Sequence, residues 1–216
     1  VGADPKLPLG PGPVTVEVTT RDSLEFIVAD EFFVESIMFR PYPALAQGDL
    51  PSGRAFIQVS TKKTKVSDKA LPITPGSIGL WVFSKQDDQA AVAEVTKKLE
   101  GMYKIHRGVE GSVVKWVSIR HNGKPVGKYH RYQPEDYRTK KRELLWAFGY
   151  LDVGEFTLFF QYGEHSSILN RLKDAIKMLS NMSHTRHSPR PEKQIPRLMP
   201  STNGSPVQTN RIRDRL

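Results

Sequence analysis

Ser112–Arg142, SVVKWVSIRHNGKPVGKYHRYQPEDYRTKKR, decides how the rest of the chain is read. It opens as a strand, turns at Asn122-Gly123 and returns as a second strand. Both turn residues tolerate the positive φ that a type I′ turn demands, so Asn-Gly is the strongest short hairpin signal. A two-residue turn sets the register by counting outward. It pairs His121 with Lys124, Ile119 with Val126 and Val117 with Lys128, and on the other face Arg120 with Pro125, Trp116 with Tyr129 and Val114 with Arg131. One face is then expected to carry Trp116 and Tyr129 beside Arg120 and Arg131. The stretch holds nine Lys and Arg against Glu135 and Asp136, a net +7 in 31 residues. The cations are Lys115, Arg120, Lys124, Lys128, Arg131, Arg138, Lys140, Lys141 and Arg142. That density points to an anionic partner.

Working outward, the remainder of the chain is acidic. The whole chain of 216 residues carries +9, and the Pro-rich segment from Ser183 to the end carries +5, so everything outside these two segments sums to −3. Positive charge is segregated, and this says more about partners than the total does. A second, shorter basic patch holds Lys62, Lys63 and Lys65 on an expected loop.

Upstream, residues 1–13 contain four prolines and three glycines and read as an extended arm. Alternating apolar and polar residues over Val14–Val18 and Leu24–Val28 predict a hairpin turning at Arg21-Asp22-Ser23. Phe32–Phe39, Arg54–Ser60 and Ile78–Phe83 read as short buried strands, separated by Pro/Gly-rich loops. A helix is expected from Ser84, where Ser84 and Asp87 have the spacing of a capping box, to Gly101, with Val92, Val95, Leu99 and Met102 as its buried stripe.

Downstream of the hairpin, Pro134-Glu135-Asp136 opens an expected helix to about Gly149, burying Tyr137, Leu144, Leu145 and Phe148. Glu155–Tyr162 follows as a strand. A last helix, capped near Ser166, buries Leu169, Leu172, Ile176 and Leu179 at spacings of 3, 4 and 3. Periodicity stops at Ser183, and five prolines in a basic, polar tail predict disorder. Ser188-Pro189 and Ser205-Pro206 are candidate phosphosites whose phosphates would offset the tail's charge. The expectation is therefore one α+β domain over residues 14–182. It has a mixed, largely antiparallel sheet or two of about seven to eight strands, with three helices, between a flexible arm and a disordered tail (183–216).

Composition excludes several chemistries. There is no cysteine, hence no disulfide, thiolate metal site or cysteine nucleophile. No apolar run reaches the roughly 20 residues of a membrane-spanning helix, and the start resembles no targeting signal. The first residue is Val, read as the trimmed end of a longer chain. A soluble protein, cytoplasmic or virion-associated, is expected. Nucleophile-elbow, zinc-protease, Walker and dinucleotide-binding motifs are absent. His184 and His187 have metal-like spacing but lack a third ligand, and Asp87-Asp88 and Glu135-Asp136 read as helix-terminal charges. The expectation is no enzyme, no metal and no cofactor.

The basic hairpin has two readings. Its cations can solvate an exposed face or blunt a sheet edge, with Trp116 and Tyr129 as a core pair. Alternatively, cations along an extended ribbon follow phosphates while Trp116 or Tyr129 stacks on unpaired bases. The second reading is preferred, with Lys115, Arg120, Lys124, Lys128, Arg131, Arg138, Lys140, Lys141, Arg142 and the Lys62, Lys63, Lys65 patch as phosphate ligands. An arm, a strand-rich body and a basic tail is the layout of viral coat and matrix proteins as a class. The expected function is a non-enzymatic, self-assembling structural protein that binds nucleic acid, single-stranded RNA first. The rival is a peripheral matrix-type protein that binds anionic lipid through the same cations.

Overall fold

The computed structural model describes residues 9–39, 53–61, 76–109, 114–135, 141–142, 144–165 and 171–188. Most of the Pro/Gly arm, Lys62, Lys63, Lys65, Arg138, Lys140, Tyr137, both Ser-Pro prolines and the chain beyond Ser188 lie outside the described residues.

Ten strands and two helices follow in order: β1 (Gly12–Glu17), β2 (Asp22–Val28), β3 (Phe32–Phe39), β4 (Ala55–Thr61), β5 (Ser77–Ser84), α1 (Gln89–Gly108), β6 (Trp116–His121), β7 (Lys124–Tyr132), β8 (Leu144–Val153), β9 (Phe156–His165), α2 (Leu172–Ser180) and β10 (Ser183–Arg186). They form a seven-stranded sheet, ordered β3-β4-β5-β9-β8-β7-β6, and a three-stranded sheet, β1-β2-β10, with every neighbouring pair antiparallel. The architecture is broadly α+β, as expected.

The large sheet is covered on both faces. On one, Leu24, Phe26 and Val28 of the small sheet and Leu172, Ala175, Met178 and Leu179 of α2 pack on Ile57, Leu80, Ala147, Leu158 and Phe160. On the other, Val95 and Leu99 of α1 pack on Phe56, Trp81, Phe83 and Phe159. Strands buried on both sides carry apolar side chains in both directions, which is why β5 reads as a nearly unbroken hydrophobic run and β9 adds Phe159 to the stripe of Phe156, Leu158, Phe160 and Tyr162.

The same double burial overturns one expected element. Pro134 to Gly149 holds no helix among its described residues, and Leu144–Val153 is strand β8. Leu145, Ala147, Leu151 and Val153 face the main core, while Trp146, Phe148 and Tyr150 face α1. With both faces apolar, the period of two disappears from the pattern, and i, i+3, i+4 matches arise by chance. Among the described residues the helices number two, not three.

Three further boundaries move. Ser84 accepts from the Asp87 N–H (3.1 Å), and Asp88, not Asp87, accepts from the Ser84 N–H (2.9 Å), so a reciprocal cap forms in the turn and the helix starts at Gln89. At its other end α1 runs through Gly101 to Gly108. Finally, Ser183–Arg186, assigned from sequence to the tail, pairs with β2, tied by Asp22 to His184 (2.9 Å) and Arg186 (3.2 Å).

One buried polar group locks α2 to the large sheet. Glu164, 2% exposed, accepts from the Tyr162 hydroxyl (2.7 Å) and the Arg171 N–H (2.9 Å) at the start of α2. Burial, then the bond to Glu164, raises the Tyr162 pKa. Glu164→Leu would strand a buried hydroxyl and an N–H, each costing about 1–3 kcal/mol. Denaturant unfolding of this variant is expected to show a loss of roughly 2–6 kcal/mol of stability by that arithmetic.

Candidate polyanion interface

The hairpin forms as its turn predicts, with Asn122 at φ 48° and Gly123 at φ 78°. Its register does not. His121 pairs with Lys124 and Arg120 with Pro125, but a β-bulge then intervenes and Ile119 pairs with Gly127, Ser118 with Lys128, Val117 with Tyr129 and Trp116 with His130. One extra residue on a strand exchanges the faces of everything beyond it. Trp116 and Tyr129 therefore point to opposite sides. Tyr129 packs toward the main core near Phe160, their ring centroids 6.4 Å apart. Trp116 faces α1.

Among the described strands β6 is the outer edge of the large sheet, so there the β6–β7 ribbon has one unpaired side. The last turns of α1 clasp it. Tyr103 stacks on Trp116 (4.8 Å, 25°), and His106 stacks on Tyr132 (3.9 Å, 2°). Lys128 lies over the Trp116 ring at 4.5 Å and the Tyr150 ring at 5.8 Å. Trp116 is thus engaged by a ring and a cation of its own chain, and Tyr129 is turned inward. Neither is an open stacking platform as the sequence reading supposed.

The register splits the ribbon's cations. Arg120 and Lys128 share the face of Trp116, and Lys115, Lys124 and Arg131 take the other face. Lys115, Arg120, Lys124 and Arg131 are exposed, and Arg120 donates to the Gly123 carbonyl (2.8 Å). From Val114 to Tyr132 there is no carboxylate. Two cations unforeseen from sequence join them, Lys104 and Arg107. With Tyr103, Glu100 and Trp116 they line a depression of about 530 Å³ between α1 and β6. Ending the helix at Gly101 hid them. The signal was present, because His106 continues the 95–99–102 stripe by four residues.

Among the described residues, Lys104, Arg107, Lys115, Arg120, Lys124, Lys128 and Arg131 have no ion-pair partner. Arg142 is exposed but reaches Glu135 at 3.9 Å, and Lys141 is exposed and also engaged. These two fall apart from the seven in that respect.

Beside the ribbon, α1 and the sheet leave an open, mainly apolar cleft of about 840 Å³, with Trp81, Trp146, Phe148 and Phe159 as floor and Leu99 and Met102 as roof. Ile105, at its edge, is 69% exposed, and Val109 is 40% exposed.

Histidines elsewhere have structural partners. His121 Nδ1 lies 2.6 Å from the Ser180 carbonyl, at the end of α2. His187 meets the hydroxyl of buried Ser23 (2.8 Å), whereas Asp22 meets His184, so serine and carboxylate engage different imidazoles and form no relay. Among the described residues, no cluster of three or more His, Asp or Glu is placed to hold a metal ion, and no helix is long and apolar enough to cross a membrane.

The sequence matches no protein-family model, and no curated protein matches it significantly.

Proposed function

We propose that the chain is a non-enzymatic structural protein that binds nucleic acid, with single-stranded RNA as first partner, along the β6–β7 ribbon and the end of α1. The observation that carries this reading is the set of seven cations, free of ion pairs among the described residues, five on the edge ribbon of the large sheet and two on the adjoining end of α1. Uncompensated surface cations gain by releasing the counterions of a polyanion, at a cost already met when carboxylates neutralise them. The cations occupy both faces of an edge ribbon, which suits a flexible polymer able to bend around it. With Trp116 and Tyr129 engaged, phosphate contacts supply the affinity and base readout is minor. The protein then acts as a coat or nucleocapsid-type subunit, gathering RNA as copies assemble.

One observation favours the anionic membrane as an alternative partner. Ile105 and Val109 are exposed beside Lys104 and Arg107, the pairing of aliphatic wedge and cation that a lipid surface takes. Competition between a fluorescent single-stranded RNA and vesicles rich in phosphatidylserine separates the two. RNA is expected to stay bound when vesicles are added, and the uncharged change Ile105→Ser is expected to leave RNA affinity nearly unchanged. Displacement by vesicles, abolished by Ile105→Ser, would replace RNA with lipid as the partner. Light scattering on the same mixtures is expected to rise with RNA; particles that stay monomeric at every concentration would remove the assembly role.

A further inference from the structure

His130 lies at the centre of the clasp between α1 and the ribbon, and it is 0% exposed. Its ring is enclosed by Tyr103 (5.4 Å), Trp116 (4.9 Å, edge-on), Phe148 (5.7 Å) and His106 (5.4 Å). Among the described residues, the polar contact of its ring is Nε2 to His106 Nδ1 at 3.1 Å. Among the described residues, its Nδ1 is a fully buried side-chain nitrogen without a hydrogen-bond partner. A buried imidazole normally has both nitrogens satisfied, by a carboxylate, carbonyl or water. Here an aromatic cage and a second imidazole take their place.

We infer that His106 and His130 form a proton-operated latch, which holds the last two turns of α1 on the ribbon while both rings are neutral and releases them on acidification. The effect on RNA rests on the function proposed above, because release separates Lys104 and Arg107 from the ribbon cations. The latch does not.

The chemistry follows from proton counting. In the neutral pair one ring nitrogen donates and the other accepts. A first added proton keeps this bond only by landing on the donor's far nitrogen. If His130 donates, that is the caged Nδ1; if His106 donates, it is Nε2, in a ring stacked flat on Tyr132. A second proton sets N–H against N–H across 3.1 Å, and the rings must part.

Among the described residues no carboxylate is hydrogen-bonded to the buried His130 ring. From α1 the nearby titratable groups are Glu100, Tyr103, Lys104 and Arg107, from β7 Lys128 and Tyr132, from β8 Tyr150, and β6 brings Trp116 with Lys115 beside it. Glu100 lines the depression beside Tyr103, and Asp152 of β8 is held by Lys85 and Thr157. Neither is hydrogen-bonded to His130. Aromatic faces offset part of the desolvation of a cation. Burial nevertheless prevails: it lowers the His106 pKa, and burial followed by repulsion from His106 pushes His130 down to about 4. An imidazole depressed when docked and ordinary, near 6.5, when released binds more protons in the released form. Docking is therefore complete above the ordinary value and is lost as pH falls from there toward about 4.

The test uses the full chain, titrated from pH 8 to 4.5 by NMR of labelled histidine, amide exchange and tryptophan fluorescence. The expected result is that the His106–His130 pair titrates together, below the ordinary histidine value, while amides of residues 103–108 lose protection at least tenfold and those of α2 do not. His130→Phe fills the cage without a proton site, and His106→Phe keeps the stack on Tyr132. Each is expected to abolish the pH dependence of α1 exchange. Titration of the pair near the ordinary histidine value with α1 protected throughout would overturn the latch, and so would opening at an unchanged midpoint in both variants. If RNA fails to bind at pH 7, the function proposed above falls, whereas exchange and fluorescence judge the latch alone.

Discussion

Replacing Lys115, Arg120, Lys124 and Arg131 together by glutamine is expected to weaken binding of single-stranded RNA by about two orders of magnitude near 0.15 M salt, without unfolding the protein. Each phosphate contact to a single strand contributes a slope of about −0.7 to log K against log salt, worth about fourfold per contact at that salt. Four contacts multiply to roughly two-hundredfold, and the slope should become shallower by about 3. All four side chains are exposed and free of ion pairs among the described residues, so glutamine leaves no carboxylate stranded and folding should be preserved. Lys173 and Lys177, exposed on α2, form the control. Glutamine at those two lowers net charge without touching the ribbon, and the slope should stay within about 0.5 of the parent. Equal losses from both sets would mean that the polyanion reads total charge, and the ribbon would have no special role.

A large loss of stability is also expected from Gly127→Ala, a change of one methyl group. Gly127 is the residue at which β7 resumes pairing after the bulge, opposite Ile119 and Leu151. A Cβ there would fall on the Tyr150 carbonyl oxygen and lie 2.6 Å from the Leu151 Cα. Both are backbone atoms of the adjoining strand and cannot swing aside as a side chain would. Overpacking of this kind costs about 1–3 kcal/mol and occasionally more, and a backbone obstacle places Gly127→Ala at or above about 3 kcal/mol by the same reasoning. For a chain of this size that is a fall of about 10 °C in Tm. Gly101→Ala is the opposite case. It lies inside α1 with nothing within 4 Å of the added carbon, so helix propensity alone decides, and a gain of about 0.5–1 kcal/mol is expected. Calorimetry on the two variants should give shifts of opposite sign. A neutral Gly127→Ala would mean that β7 can slide relative to β8, and the division of cations between the ribbon's faces would lose its basis.

Local chemistry made much of this protein legible in advance. Asn122-Gly123 dictates a type I′ turn wherever it sits, and the turn formed. Crowded cations between Val114 and Tyr132 with no acid among them have no ion pair among the described residues, where acids are engaged elsewhere, as in Asp87 and Asp88 on Arg54 and Glu31 and Asp174 on Arg171. The stripes Val92-Val95-Leu99 and Leu172-Ile176-Leu179 became helices because a 3.6-residue period with one polar side has no other economical use.

What required the tertiary structure were the features whose cause lies on a neighbouring element. Leu144–Val153 is a strand because both of its sides are covered, one by α1 and the other by α2 with the small sheet, and double burial erases the alternation that identifies a strand. α1 passes its glycine at 101 because Tyr103 and His106 find Trp116, Tyr132 and His130 to pack against. The bulge opposite Ile119 and Arg120 is invisible in the residues that make it, yet it turns Tyr129 into the core and Trp116 under the helix. In a strand the side-chain period is two residues, so a single inserted position reverses every face beyond it, and only the packed neighbours determine which register the chain adopts.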